Sequence, residues 1–317
     1  MDPVVEFVPG RSGRARSFER FLRLAIKPWL FGMPLTRSTL RLAGVFELGA
    51  PLVMRTPRGT QIERVEFDGF HGEWIRPANA DPSRVLLYFH GGGFFFCGLK
   101  THRRMIAKIA EAAGVTAFSV AYRQLPGAPL TTSVADAQQT YEWLLAQGIA
   151  GEHIALGGDS AGGFLALNTA LTAAEQGRPV PAAIATLAPL VTLDHVERAA
   201  FPYTRKDAYI PVHRLERLKR LLLSEGDVTA PADRDLRTLP PVLVVSGSHE
   251  ALRYDTDLLA QRLADAGVPH KVEIFEKQVH VFAAFSGVIP EADRAIGDIA
   301  SFVRTYLAPS AVGTTAA

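Results

Sequence analysis

From residue 61 onward, short apolar runs alternate with helical stretches, and few architectures accept that order. Residues 61–67 and 72–76 read as a hairpin, and strand-like runs follow at 84–89, 115–121, 153–156, 182–187, 242–245 and 271–275. Helical stretches fall among them at 101–113, 135–146, 161–174, 255–266 and 291–307. Short buried strands separated by helices imply an α/β fold, a mostly parallel central sheet with helices on both faces. Ligands in such sheets sit beyond the carboxyl ends of the strands. Residues 191–240 break the alternation and are too long for a plain connection. They hold a helical spacing at Leu215, Leu218 and Leu222, and they read as an insertion over the strand ends.

These runs divide the chain. Residues 61–190 and 241–308 are expected to form the α/β body, 191–240 a cap insertion, 1–60 an N-terminal helical part of the cap, and 309–317 a flexible tail. No strand is assigned before residue 61. Within 1–60, Phe18, Phe21, Leu22, Ile26, Trp29 and Leu30 fall on one helical stripe. That stripe packs on the body, covers a site or touches a membrane surface.

Lys and Arg number 34 against 32 Asp and Glu, a net charge of +2, which gives no support for nucleic-acid binding. No apolar run approaches the ~18 residues of a membrane span, so no stable insertion is expected. The single cysteine, Cys97, excludes an intramolecular disulfide. With an N-terminus unlike a secretory signal, it leads to an expected cytoplasmic location.

The chemistry concentrates in two glycine motifs. Gly158-Asp159-Ser160-Ala161-Gly162 lies between a strand and a helix. A serine in that sharp turn adopts a strained backbone and projects its hydroxyl from the sheet edge, while the helix aims free N–H groups at the same point. His90-Gly91-Gly92-Gly93 follows another strand and offers backbone N–H groups unobstructed by side chains, which suits an oxyanion hole.

A serine nucleophile needs a base, and the base an orienting acid. Of nine histidines, only His280 stands in a loop leaving the carboxyl end of a late strand. His90 reads as a brace for the glycine loop. Glu250 follows the strand at 242–245, whereas its rivals Asp255 and Asp257 read as helical and farther off. The order Ser160, Glu250, His280 is that of α/β-hydrolase triads.

With His90-Gly91-Gly92-Gly93, Gly158-Asp159-Ser160-Ala161-Gly162-Gly163 and the Tyr122-Arg123 pair between them, the chain resembles the hormone-sensitive-lipase-like (bacterial family IV) esterases of the α/β-hydrolase superfamily. The resemblance spans about residues 84–307. It implies Ser160 as nucleophile, His280 as base, and Gly92, Gly93 and Ala161 as oxyanion donors. The family more often has Asp at the position of Glu250. It also often has Glu where this chain has Gly127, so whatever that carboxylate braces must be held otherwise. By edge-strand pairing the resemblance further implies a homodimer.

The expected function is hydrolysis of short- to medium-chain carboxylic esters through an acyl-enzyme, on a small-molecule ester, with no cofactor and no metal. A lactone or amide hydrolase on the same residues, or a non-catalytic small-ligand receptor, are the alternatives. His249-Glu250 begins like a zinc-protease helix, but the fifth position is Arg253. The glycines at 93 and 98 miss a phosphate loop because Leu99 precedes Lys100.

Overall fold

The computed structural model describes residues 3–43, 47, 49 and 55–307. The tail expected at 309–317 lies outside them. Nine strands among the described residues form one sheet: β1 (Val5–Val8), β2 (Gln61–Glu66), β3 (His71–Arg76), β4 (Asp81–Phe89), β5 (Val115–Ala121), β6 (Ile154–Asp159), β7 (Ala183–Leu187), β8 (Val242–Gly247) and β9 (His270–Phe275). Their order across the sheet is β1-β9-β8-β7-β6-β4-β5-β3-β2. Only the β2–β3 and β3–β5 pairings are antiparallel; the others run parallel. This is the mostly parallel sheet with helices on both faces expected from the alternation, and it agrees with the fold that the resemblance implies.

The sheet carries a core on each face. Along β4, Val85, Leu87 and Phe89 enter one core, and Leu86 and Tyr88 the other. That is the period-two alternation of a strand. Both sets are apolar because helices cover both faces. The rod of α1 (Gly13–Phe21) and α2 (Lys27–Gly32) is followed by α3 (Arg37–Ala43), and α4 (Leu99–Ala113) comes after β4. Then come α5 (Leu130–Ala146), α6 (Ala161–Glu175), α7 (Val196–Ala200), α8 (Leu215–Leu222), α9 (Arg253–Asp265) and α10 (Pro290–Tyr306). Helices α4 and α10 supply one core, and α5, α6 and α9 the other. No helix among the described residues is long and apolar enough to cross a membrane.

Three readings change. First, β1 was not expected. Its four residues carry too short a pattern, and it forms because β9 offers an open edge, with Val5 beside Val272. Second, β6 continues through Gly157 and Gly158. A Cβ on Gly157 would come within 2.7 Å of the Tyr88 ring, so glycine here marks close packing rather than a loop. Third, the N-terminal stripe is only half inward. Leu22 is buried, and Phe18 and Ile26 pack against the core, whereas Phe21 and Trp29 are 53% and 40% exposed. A π-helical segment, Leu22–Ile26, joins α1 to α2 and breaks the 3.6-residue phase.

Candidate active site

Four parallel strands deliver the sequence-selected residues to one end of the sheet. Ser160 follows β6, the glycine loop follows β4, Glu250 lies just beyond β8, and His280 lies just beyond β9.

Ser160 has φ +52° and ψ −116°, a region L-residues seldom occupy. Main-chain bonds enforce it: Ser160 N–H donates to Leu187 O at 3.0 Å, and Leu190 N–H donates to Ser160 O at 2.9 Å. The turn is tight enough that a Cβ on Gly162 would sit 1.9 Å from Phe89 O. The spacing of small residues around Ser160 therefore has a steric cause. Ala161 opens α6, whose first N–H groups lack intrahelical partners.

The glycine loop is bent back on itself. Phe95 and Phe96 N–H both donate to Gly92 O, at 3.2 and 3.0 Å. Gly92 has φ +115°, and a Cβ there would meet Phe96 O at 1.8 Å. Gly92→Ala should therefore distort the loop and lower kcat by about 10²-fold, the scale of one lost oxyanion donor. Steady-state kinetics on folded protein checks this, and undiminished turnover would move the oxyanion donors elsewhere.

Asp159 anchors the loop from below. Its buried carboxylate accepts from Tyr88 Oη at 3.0 Å, Gly91 N–H at 3.1 Å and His102 Nε2 at 3.2 Å. Burial pushes the Asp159 carboxyl up, but the charge and hydrogen bond of His102, aided by Tyr88, hold it below its ordinary value. His102 is correspondingly raised, against burial, by Asp159. His90 stacks on Tyr122 with ring centroids 4.4 Å apart, and Tyr122 Oη donates to His90 O at 2.8 Å. Burial and nearby His102 push His90 down to about 4, so it is neutral at pH 7. Where the family's Glu is replaced by Gly127, Leu125 N–H bonds Phe94 O at 2.8 Å and Gln124 Nε2 bonds Cys97 O at 3.0 Å. These two contacts hold the far side of the glycine loop.

Glu250 and His280 meet. His280 Nδ1 donates to Glu250 Oε2 at 2.5 Å, and Glu250 is fully buried. Glu250 Oε1 accepts from Ser246 Oγ at 2.6 Å and Gly247 N–H at 2.7 Å, so both oxygens are fixed. Burial lowers the imidazole pKa, but the hydrogen bond and charge of Glu250, with the charges of Asp207 and Asp159, outweigh it. The net shift is upward from 6.5. With Nδ1 committed to Glu250, Nε2 is the nitrogen left for a proton from elsewhere. No hydrogen bond joins Ser160 Oγ to His280 among the described residues. Such contacts often form only in the substrate complex.

Asp255 lies in α9, helical as the sequence reads, but not at the surface. It is fully buried, pairs with the equally buried Arg198 (Nε to Oδ2, 2.6 Å), and accepts from Val191 N–H at 2.9 Å. Asp257 pairs with Arg253 at 2.8 Å on the same helix.

Sequence reasoning missed Asp207, Tyr209 and His102. Asp207 Oδ2 accepts from Ala251 N–H at 2.8 Å, next to Glu250, while Oδ1 accepts from Tyr209 and Ile210 N–H at 2.8 and 2.7 Å. Tyr209 Oη donates to His280 O at 2.7 Å. The bonds from Asp207 to the two following N–H groups are those of an Asx turn, the one local signal available. Its bond to Ala251 spans 44 residues and has none.

The family described as alpha/beta hydrolase fold matches residues 86–284. With the sheet order, that match defines the class: an α/β hydrolase. Esterase LipU of Mycobacterium tuberculosis is 34% identical over 82% of this chain and 92% of its own length. The carboxylesterase/phospholipase LipF of the same organism is 32% identical over 98% of this chain and 86% of its own. A crystal structure of an esterase from the bacterial hormone-sensitive lipase family superposes with a TM-score of 0.83 at 31% identity, covering 95% of this chain and all of that one. The chain belongs to the hormone-sensitive-lipase-like family of α/β-hydrolase esterases. It is an ester hydrolase of the carboxylesterase type, acting on small-molecule esters.

Proposed function

We propose that this carboxylesterase cleaves short- to medium-chain acyl esters through an acyl-enzyme on Ser160, with His280 as base and Glu250 as orienting acid. The observation that carries the reading is the buried 2.5 Å contact of Glu250 with His280 Nδ1, which leaves Nε2 as acceptor. His280 Nε2 takes the proton as Ser160 Oγ attacks the acyl carbonyl. The N–H groups of Gly92, Gly93 and Ala161 receive the oxyanion, and His280 returns the proton to the leaving alkoxide. Water, deprotonated in turn by His280, attacks the acyl-enzyme and frees Ser160. Labelling by a fluorophosphonate probe tests the reading against a non-catalytic receptor, and an unlabelled wild-type protein would refute it. Lactones and amides are the competing substrates for the same residues.

Apart from β1, which belongs to the sheet of the body, residues 1–60 form with 191–240 a two-part cap over a body of 61–190 and 241–308. In support, Arg217 donates to Leu35 O at 3.3 Å and Arg214 donates to Met33 O, tying the two parts together. Leu218 of α8 approaches Gly93 closely enough that a Cβ there would lie 3.7 Å from it. The family resemblance and a cap of limited size favour acyl chains of about two to eight carbons. A p-nitrophenyl ester series should therefore peak in kcat/KM within that range. Faster cleavage of emulsified long-chain triglyceride would overturn it. A cytoplasmic location and a homodimer complete the reading. Since β1 covers β9, the strands free to pair are the edges β1 and β2, and light scattering on the purified chain tests the dimer.

A further inference from the structure

The N-terminal rod leaves one face unused by the fold. Residues 11–41 hold eight basic residues and one acid, a local charge of +7 in a chain whose total is +2. The remainder is thus net negative. The one acid, Glu19, is buried and paired with Arg11 and Arg23. Arg14, Arg16 and Arg20 on the rod, and Arg37 and Arg41 on α3, are all exposed, and in the sequence no exposed acid lies between them. Among these arginines stand Phe21 and Leu24, 53% and 80% exposed. Ala25 and Pro28, also exposed, continue this outward surface through the π-helical segment.

The opposite face is committed. Phe18 packs at a tilt against Phe285 with centroids 4.4 Å apart, and Lys27 Nζ donates to Asp207 O at 2.9 Å. Tyr209, two residues beyond Asp207, reaches His280 O. The rod therefore sits on the segment that touches His280, with its cationic and apolar face turned outward.

We propose that this outer face docks reversibly on an anionic lipid surface. The arginines meet the headgroup phosphates, and Phe21 and Leu24 enter the boundary between headgroups and acyl chains. Charge complementarity selects this occupant. Two copies of a +7 segment repel each other, which disfavours self-association, and a purely electrostatic polyanion site gives no role to two exposed apolar side chains.

Sedimentation of the full chain with vesicles tests the proposal, using phosphatidylcholine alone and phosphatidylcholine mixed with phosphatidylglycerol. Partitioning onto the anionic vesicles should exceed that onto the neutral ones by about tenfold or more, and should fall as salt rises. Phe21→Ser with Leu24→Ser, and separately Arg16→Glu with Arg20→Glu, should each weaken it by about tenfold or more. Hydrolysis of a soluble short ester should be unchanged in both, showing that the variants fold. Equal partitioning onto both vesicle types, or none, overturns the proposal. So does an apolar variant that binds like the wild type and is displaced by heparin, which would mark a charge-only site. A dimer abolished by the apolar variant without vesicle binding would assign the face to a second copy and overturn it equally.

Discussion

Ser160→Ala is expected to fold like the wild type and to hydrolyse a soluble ester about 10⁴-fold more slowly. The folding half follows from the turn. Ser160 is held by main-chain bonds to Leu187 and from Leu190, which alanine keeps. On the proposed roles, the kinetic half follows from losing the attacking oxygen while the oxyanion donors and the Glu250–His280 pair persist. His280→Ala should fall about as far, and the double variant hardly further, because nucleophile and base act as a unit. Steady-state kinetics with denaturant unfolding of each variant measures both halves. Activity within about tenfold of wild type in either single variant would remove Ser160 and His280 from their proposed roles.

Glu250→Gln and Asp255→Asn should separate catalysis from stability at two buried carboxylates five residues apart. Glu250→Gln keeps the shape but removes the charge opposite His280, and turnover should drop by ~10²–10⁴. The pH profile gives a second readout. His280 must be neutral to accept a proton, so kcat/KM falls as pH drops through its pKa. That pKa lies above 6.5 in the folded protein, and Glu250 is a principal cause. Removing the charge should therefore move the acid limb to lower pH.

Asp255→Asn should behave differently. It leaves the Arg198 guanidinium, fully buried, without its counter-ion, at a cost of about 3–5 kcal/mol in unfolding free energy. Turnover per folded molecule should stay within about threefold of wild type, because Asp255 touches neither His280 nor the glycine loop. The reverse pattern, with Glu250→Gln merely unstable and Asp255→Asn folded but inactive, would exchange the two roles.

Those two residues also show where sequence reading ends. Strand–helix alternation, the glycines around Ser160 and the loop positions of Glu250 and His280 are local properties. Each is written in adjacent residues, because a strand alternates every second residue and a tight turn excludes Cβ atoms. The order of elements followed from that pattern, and with it the end of the sheet where chemistry could occur. Loop position selected Glu250 as the carboxylate for His280, but the sequence did not show that Asp255 would be buried against Arg198. The partners lie 57 and 30 residues away, and only packing brings them into contact.

The same limit explains the other gaps. Strand β1 exists because β9, some 260 residues later, leaves an edge open. Asp207 matters because the loop after β8 folds against it, and His102 because its helix passes beneath Asp159. Burial changes what each of these groups is: a carboxylate or imidazole removed from water must find a partner or lose its charge. The sequence thus determined the kinds of residue, the sheet and the order of the site. The tertiary structure chose the partners, because a buried polar group is satisfied by whatever lies beside it in space.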